Sequence, residues 1–442
     1  MYELYHKYRD RLSRTYPKQM EWLYRLILNH KALDLFFLTV FVILSLDVRL
    51  RYYFYLLSTN TFPQSDDSTW YLNYANDLMH NWKIGLHMDD ILYFGYNFLL
   101  TVLLAIFKSP EKILFIQAVT AAVSVILVYR IAQMLFNRTT AVIAAFFYCN
   151  YAWGITLWAM YILADSFFVS LLLLNVYFLL SFMETKRNVF KVLFIVTAVY
   201  MLIFKPTGIM SLAFILLYIV LNLKWGTIAG FFRRYRWLIG GGLAAAVAAF
   251  LALYLGHKLD PLIESMAFNV KKVLYNIYAR GRIYDIPSPY DHFFRPDYRI
   301  NILDSLALSF IINNWDHVII IYGQRFVAFL GRWVWQTNLS APIGYVKLIY
   351  RLIPTFLFLF GTFYPLITKQ FKRASIAPLT VLAVFIFCII FFIDGMYRYK
   401  APAIPFIAIT AAYGAERMIV LGIRIANKYA GKLLWKKKKY SL

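Results

Sequence analysis

Acidic side chains are scarce in this sequence. Its 442 residues carry 22 Asp and Glu against 46 Lys and Arg, and charged residues of either sign make up only 15% of the chain. A soluble domain holds about 25%. Cysteine is nearly absent: Cys149 and Cys388 are the only two. Both lie within apolar runs, where they read as small buried hydrophobes rather than as a disulfide or a thiolate metal site. Alternating strand-like segments of about ten residues, the mark of a membrane β-barrel, are missing. So is any internal repeat, which counts against the inverted-repeat architecture of many secondary transporters. The first 31 residues hold no cleavable apolar core followed by small residues, so no signal peptide is expected there.

What fills the chain is apolar and aromatic: 61% hydrophobic residues, 19% Phe, Trp and Tyr, and a mean hydropathy of +0.59. Apolar segments fall near 33–50, 91–107, 113–135, 139–158, 163–183, 190–204, 207–223, 237–256, 317–335, 342–367, 376–393 and 399–422. A bilayer crossing needs about 20 such residues. The pattern predicts an all-α polytopic membrane protein with about 10–12 transmembrane helices. In a soluble protein the net charge of +24 would suggest nucleic acid. Here the basic residues stand between apolar segments, where they set topology and touch anionic headgroups.

The charge rule then orients the chain. Residues 1–31 read as an amphipathic helix on the cytoplasmic face. Lys186-Arg187, Arg233-Arg234-Arg236, Lys369 with Lys372-Arg373, and the tail 423–442 with its run Lys436 to Lys439 should be cytoplasmic too. Treating 91–107 and 317–335 as re-entrant or interfacial leaves about ten crossings. It places 51–112, the stretch around 159–166, Lys205, 257–341 and 394–398 on the outer side. The long outer loop 257–341, with YNIYARGRIYDIPSPYDHFFRPDYRIN at 275–301, is too aromatic to be disordered.

Against this background a few ionisable residues stand out. Asp66 and Asp67 are adjacent in SDDSTWYLNYANDL, and a helix cap accounts for one acid but not for both. Asp165 opens an apolar segment in WAMYILADSFF, and an ionisable residue at membrane depth is a functional-site hypothesis by default. Carboxylates from these two outer loops could meet, hold a divalent cation (Mg2+ or Mn2+) between Asp67 and Asp165, and supply a general base. Lys205 in FKPTG and Arg398 in DGMYRYKAPAIPF are cations on the outer side, against the usual bias; together they suit a phosphate. Lys400 is also a candidate, although a snorkelling anchor accounts for it as well. His87, Asp89 and Asp90 lack the spacing of a zinc pair; Asp90 remains a candidate contributor. Asn137-Arg-Thr139 and Asn338-Leu-Ser340 are formal glycosylation sequons.

Five stretches, in order, resemble the GT-C superfamily of membrane glycosyltransferases, in particular its protein O-mannosyltransferase and aminoarabinose-transferase-like group. They are SDDSTWYLNYANDL, YFGYNFLLTVLLAIF, MLFNRTTAVIAAFFYCNYAWGITLWAMYILADSFF, FKPTG and MYRYKAPAIPF, spread over residues 33–422. The resemblance implies a GT-C fold whose extended first outer loop carries an acidic motif and amphipathic helices. It further implies a catalytic module over 32–256, an outer loop at 257–341 and C-terminal transmembrane helices over 342–422. Asp67 with Tyr71 resembles the Asp-x-x-x-Tyr register; alternatively Asp66-Asp67 stands for the family's Asp-Glu. Asp165 matches the second acid, and the run from Arg398 resembles Arg-Tyr-x-x-Pro. The chain departs from the family at YFGYN, where a Pro-containing version is usual and a phosphate-contacting basic residue has no counterpart.

The expected activity is transfer of a sugar from a polyprenyl-phosphate donor to a hydroxyl of a lipid, glycan or protein, at the outer face of a bacterial inner membrane. Asp66, Asp67 and Asp165 are the catalytic candidates. Lys205, Arg398 and Lys400 are expected at the donor phosphate, and Tyr71, Asp90, Tyr93, Tyr397, Arg280 and Arg282 at substrate. A transporter of lipid-linked sugars would use the same cations without a base, and a non-catalytic scaffold of an envelope polysaccharide complex would need neither.

Overall fold

The computed structural model describes residues 30–82, 92–151, 153–260, 263–264, 267, 271, 281–284, 287–291, 293–391 and 396–439. Among them there is no strand; the chain is built from helices α1 (His30–Thr59), α2 (Asp66–Asn81), α3 (Phe94–Phe107), α4 (Pro110–Val123), α5 (Val125–Leu135), α6 (Arg138–Tyr151), α7 (Trp153–Trp158), α8 (Ala164–Thr185), α9 (Asn188–Phe204), α10 (Thr207–Asn222) and α11 (Trp225–Leu255). The second half adds α12 (Leu306–Asn313), α13 (Trp315–Leu330), α14 (Pro342–Ile367), α15 (Phe371–Ala374), α16 (Ile376–Phe385), a π-helical turn (Ile386–Phe391), α17 (Met396–Tyr399) and α18 (Ile404–Lys439). Among the described residues each apolar segment of the sequence is thus largely helical, as backbone groups in hydrocarbon require.

Among the described residues five helices are long and apolar enough to cross a membrane: Pro110–Leu135, Ala164–Thr185, Phe232–Leu255, Pro342–Ile367 and Tyr397–Ile423. Phe94–Phe107, Asn188–Phe204, Thr207–Asn222 and Ile376–Ile389 are shorter apolar helices. The chain is a multi-pass membrane protein. Of the two segments expected not to cross, α3 has 14 residues, about 21 Å of helix, short of a hydrocarbon core of about 30 Å, as are the other short apolar helices. α12 and α13 form a pair bent by 94°, the shape of a broken span or a re-entrant hairpin.

Proline and serine set several boundaries. Ser65 caps α2, its hydroxyl accepting from the Ser68 amide at 3.2 Å, and Asp66 and Asp67 occupy the first turn, where the helix dipole favours anions. The stripe Ser68, Tyr71, Ala75 and Leu78 then faces inward onto α3, so the amphipathic helix expected in the first loop is present. Asn137 caps α6: its Oδ1 accepts from the Thr140 amide at 2.9 Å and its amide donates to Glu416 at 3.2 Å. This sequon is therefore a helix start. Both cysteines are free and buried.

The core is formed where α6 and α14 pack on α18, α8 on α9, α1 on α4 and α10 on α16. Asp34 ties α1 to its neighbours, accepting from Tyr129 at 2.8 Å, Gln133 at 2.9 Å and Arg138 Nε at 2.6 Å. By contrast, no side chain of α11 between Phe232 and Leu255 is buried. α14 meets α18 at close range, where Gly414 faces Gly361. A Cβ on Gly414 would lie 2.2 Å from the carbonyl oxygen of Leu357, so only a residue without a side chain lets the backbones meet. Gly414→Ala is expected to destabilise the protein by about 1–3 kcal/mol through overpacking, seen as a lower Tm in detergent. Gly240→Ala, at a position with nothing within 4 Å, is the neutral control; equal melting of the two variants would contradict this packing.

Candidate active site

The sequence places Asp67, Asp165, Lys205 and Arg398 in four separate segments, and the fold brings them together. Asp165 lies in the first turn of α8 and has a fully buried side chain. Lys205 donates to its Oδ1, and Arg398 Nε donates to its Oδ2 at 2.8 Å. Arg398 Nη1 donates in turn to Asp67 Oδ2. The result is a chain of alternating charge, Lys205–Asp165–Arg398–Asp67, that runs from the interior to a carboxylate half exposed to solvent. Tyr399 covers it, with its ring 4.5 Å from Lys205 Nζ and 5.4 Å from the Arg398 guanidinium.

Local sequence explains how each side chain reaches its place. Pro206 disfavours helix at the residue before it, and Lys205 has extended backbone (φ −163°, ψ 142°) between α9 and α10. Gly208 then allows a tight reversal: a Cβ there would lie 2.2 Å from the Met201 carbonyl oxygen. The Lys205 side chain, held at this break, projects to Asp165. Arg398 sits in the single turn α17, after the π-helical turn; such turns often occur at functional sites.

Aromatic rings wall the site. Tyr71 contacts Trp70 at 4.6 Å, Tyr96 at 4.8 Å and Tyr93 at 5.8 Å, and Tyr96 contacts Phe204 at 5.7 Å. Burial pushes the Tyr71 phenol well above its ordinary range, so it stays protonated and serves as a neutral hydrogen-bonding group. The wall lowers the local dielectric, which strengthens the ion pairs it encloses and raises the cost of leaving any of them unpaired.

Other candidates lie elsewhere. Asp66 is exposed, and among the described residues its carboxylate makes no hydrogen bond. Lys400 and Tyr397 share the opposite face of the 396–400 turn. Lys400 Nζ is buried and donates to the carbonyls of Phe329 and Gly331, each at 3.0 Å; Tyr397 packs on Trp333 at 4.2 Å and on Tyr284 at 5.0 Å. There they border a cavity of about 170 Å³ whose lining includes Arg332, Ile353, Leu357 and Ile407. Arg282 accepts from Arg325 through its backbone, at 3.0 Å. Asp90 and Arg280 lie outside the described residues. Sequence reading passed over Tyr399 and Tyr96; the alternation of aromatic and basic residues in MYRYK was the available signal for the first.

The residues do not fit the divalent cation considered for Asp67 and Asp165. Arg398 bridges the two carboxylates and Lys205 holds the remaining oxygen of Asp165. Among the described residues no group of three His, Cys, Asp or Glu is placed to hold a metal.

Comparison with known proteins bears out the resemblance to the GT-C superfamily. Residues 94–254 match the family described as dolichyl-phosphate-mannose-protein mannosyltransferase. Among solved structures, the Archaeoglobus fulgidus oligosaccharyltransferase in complex with Zn and sulfate is similar at 15% identity, with a TM-score of 0.40. That match covers 90% of this chain and 50% of the other, so the chain spans half the length of that protein. No curated protein matches.

Asp165→Asn is expected to lower stability by about 3–5 kcal/mol, because it leaves Lys205 charged, buried and poorly paired. Asp165→Asn with Lys205→Met should regain part of the lost Tm. A single variant that melts like the wild type would show that the pair contributes nothing to the fold.

Proposed function

We propose that the chain is a membrane glycosyltransferase of GT-C type that moves a sugar from a polyprenyl-phosphate donor to a hydroxyl acceptor. One observation carries the reading: the turn 396–400 presents Arg398 to Asp67 on one face, and Lys400 and Tyr397 to an apolar cavity on the other. A half-exposed carboxylate and an apolar cavity with cations at its edge are thereby adjacent. The matched family's description, dolichyl-phosphate-mannose-protein mannosyltransferase, names a donor of the same class.

In this reading Asp67 is the general base. It is the one acid of the network with solvent access, half exposed where Asp165 is buried. An acceptor hydroxyl attacks the anomeric carbon of the donor and gives its proton to Asp67. The bond from that carbon to the phosphate oxygen breaks, and its electron pair leaves with polyprenyl phosphate. A single displacement inverts the anomeric centre. Arg398 engages its carboxylate partners through Nε and Nη1, while Nη2 makes no hydrogen bond among the described residues; that edge is proposed to meet the leaving phosphate. Asp165 and Lys205 position Arg398 rather than touch substrate. The apolar cavity takes the first isoprene units, with Arg332 and Lys400 in its lining. The site is assigned to the outer face of a bacterial inner membrane on the distribution of Lys and Arg between helices.

The test is transfer from a panel of radiolabelled polyprenyl-phosphate sugars by purified protein, following label into lipid, protein and glycan fractions. Asp67→Asn should reduce kcat about 10²–10⁴-fold, the usual contribution of a general base, without loss of folding. Asp66→Asn should retain transfer. Wild-type rates from Asp67→Asn would sink the assignment, and label in no fraction from any donor would sink the activity.

A further inference from the structure

A second cavity lies at the other end of the bundle from the ion-pair network. α8 spans the distance: Asp165 is in its first turn and Glu184 at its far end, nineteen residues on, or roughly 28 Å at 1.5 Å per residue. Glu184 accepts from Arg373 Nη2 at 2.8 Å, and Arg373 lines this second cavity, which measures about 490 Å³. Its walls come from the α5–α6 turn, the end of α10, the segment between α14 and α16, and α18.

The lining has three chemical layers. The floor is aromatic: Phe136 and Tyr413 stack with centroids 4.0 Å apart. Amide side chains of Asn137, Asn222 and Gln370 stand along the sides. The rim is cationic, with Lys369, Lys372, Arg373 and Arg417. Two of these cations are matched, Arg373 by Glu184 and Arg417 by Glu416 at 2.9 Å. Lys369 and Lys372 make no ion pair among the described residues, so the cavity carries two uncompensated positive charges. Topology alone asks only for basic residues somewhere at this end. It does not ask for four of them around one cavity with an aromatic floor and amide walls.

We propose that this cavity binds a phosphoryl group, carried either by an anionic lipid headgroup or by a small soluble phosphate. Lys369 and Lys372 supply the charge, Arg373 and Arg417 directed donors, and the stacked rings a surface for whatever the phosphate is attached to. Basic pockets between transmembrane helices commonly serve headgroups in this way. The proposal is independent of the transferase reading, since binding is measured without turnover.

The test uses the full chain and two charge-matched double variants. Lys369→Gln/Lys372→Gln removes the unpaired charges. Lys186→Gln/Lys224→Gln removes two exposed lysines at the same end that do not line the cavity. In one arm, native mass spectrometry follows retention of phosphatidylglycerol from mixed micelles with phosphatidylcholine. In the other, equilibrium dialysis follows radiolabelled inorganic phosphate and glycerol phosphate in zwitterionic detergent without phospholipid. The cavity variant is expected to lose about tenfold in affinity in at least one arm, and the control less than about twofold. Loss in the lipid arm alone identifies a headgroup, and loss in the dialysis arm a soluble phosphate. Equal losses in the two variants, or wild-type binding by the cavity variant in both arms, overturns the proposal. Unchanged Tm in both variants excludes misfolding as the cause.

Discussion

Asp165 is a carboxylate with no access to water, and everything at the candidate site follows from the need to neutralise it. Burial of a lone anion is too costly for a folded protein to carry. Lys205 and Arg398 therefore must both reach it, one from the break between α9 and α10, the other from the turn before α18. That requirement joins segments more than two hundred residues apart. Because Arg398 has a second carboxylate partner in Asp67, the first loop is drawn to the same point. Replacing such a network with hydrophobic residues can leave a protein just as stable, so its presence here is better understood as positioning than as a source of stability.

The alternation of charge has a chemical consequence. Two cations and two carboxylates sum to zero, yet their environments differ sharply. Asp165 has both oxygens engaged and no exposure, whereas Asp67 is held by one donor and half exposed. Like residues thus stand in unlike environments, the condition under which two carboxylates can differ in chemistry. The short turn α17 adds the second element, because residues three apart on a helical turn share a face. Tyr397 and Lys400 point together to the apolar cavity while Arg398 faces the acids. The ion-pair network and the apolar cavity are separated by a single turn of backbone.

At the opposite end the few acids of the chain act as tethers. Asp34 gathers Tyr129, Gln133 and Arg138; Glu416 gathers Asn137, Thr140 and Arg417; Glu184 meets Arg373. Each acid joins helices that are distant in sequence. The surplus of cations around the large cavity is what remains after these acids are matched.

Hydrophobic periodicity and length made the helices legible, because a chain in hydrocarbon has no other way to satisfy its backbone. The same logic exposed Asp165, Lys205 and Arg398, since ionisable residues at membrane depth are rare enough to be conspicuous. The amphipathic stripe of α2 and the break at Lys205-Pro206 were equally readable from local rules. What sequence could not decide was partnership. Asp66 and Asp67 are neighbours of identical chemistry, and only the angle at which α2 meets Arg398 separates an exposed first-turn acid from a member of the network. The sequence also presented the cations as waiting for phosphate and the acids as waiting for metal. The fold pairs them with each other instead, because charges at this depth are neutralised by whichever opposite charge the helix packing brings within reach. Lys400, one residue beyond Tyr399, is turned to a different cavity by the same geometry. Residue types and helices were thus set by the solvent the chain must live in, while pairing and exposure were set by the packing of helices far apart in the chain, which no local pattern encodes.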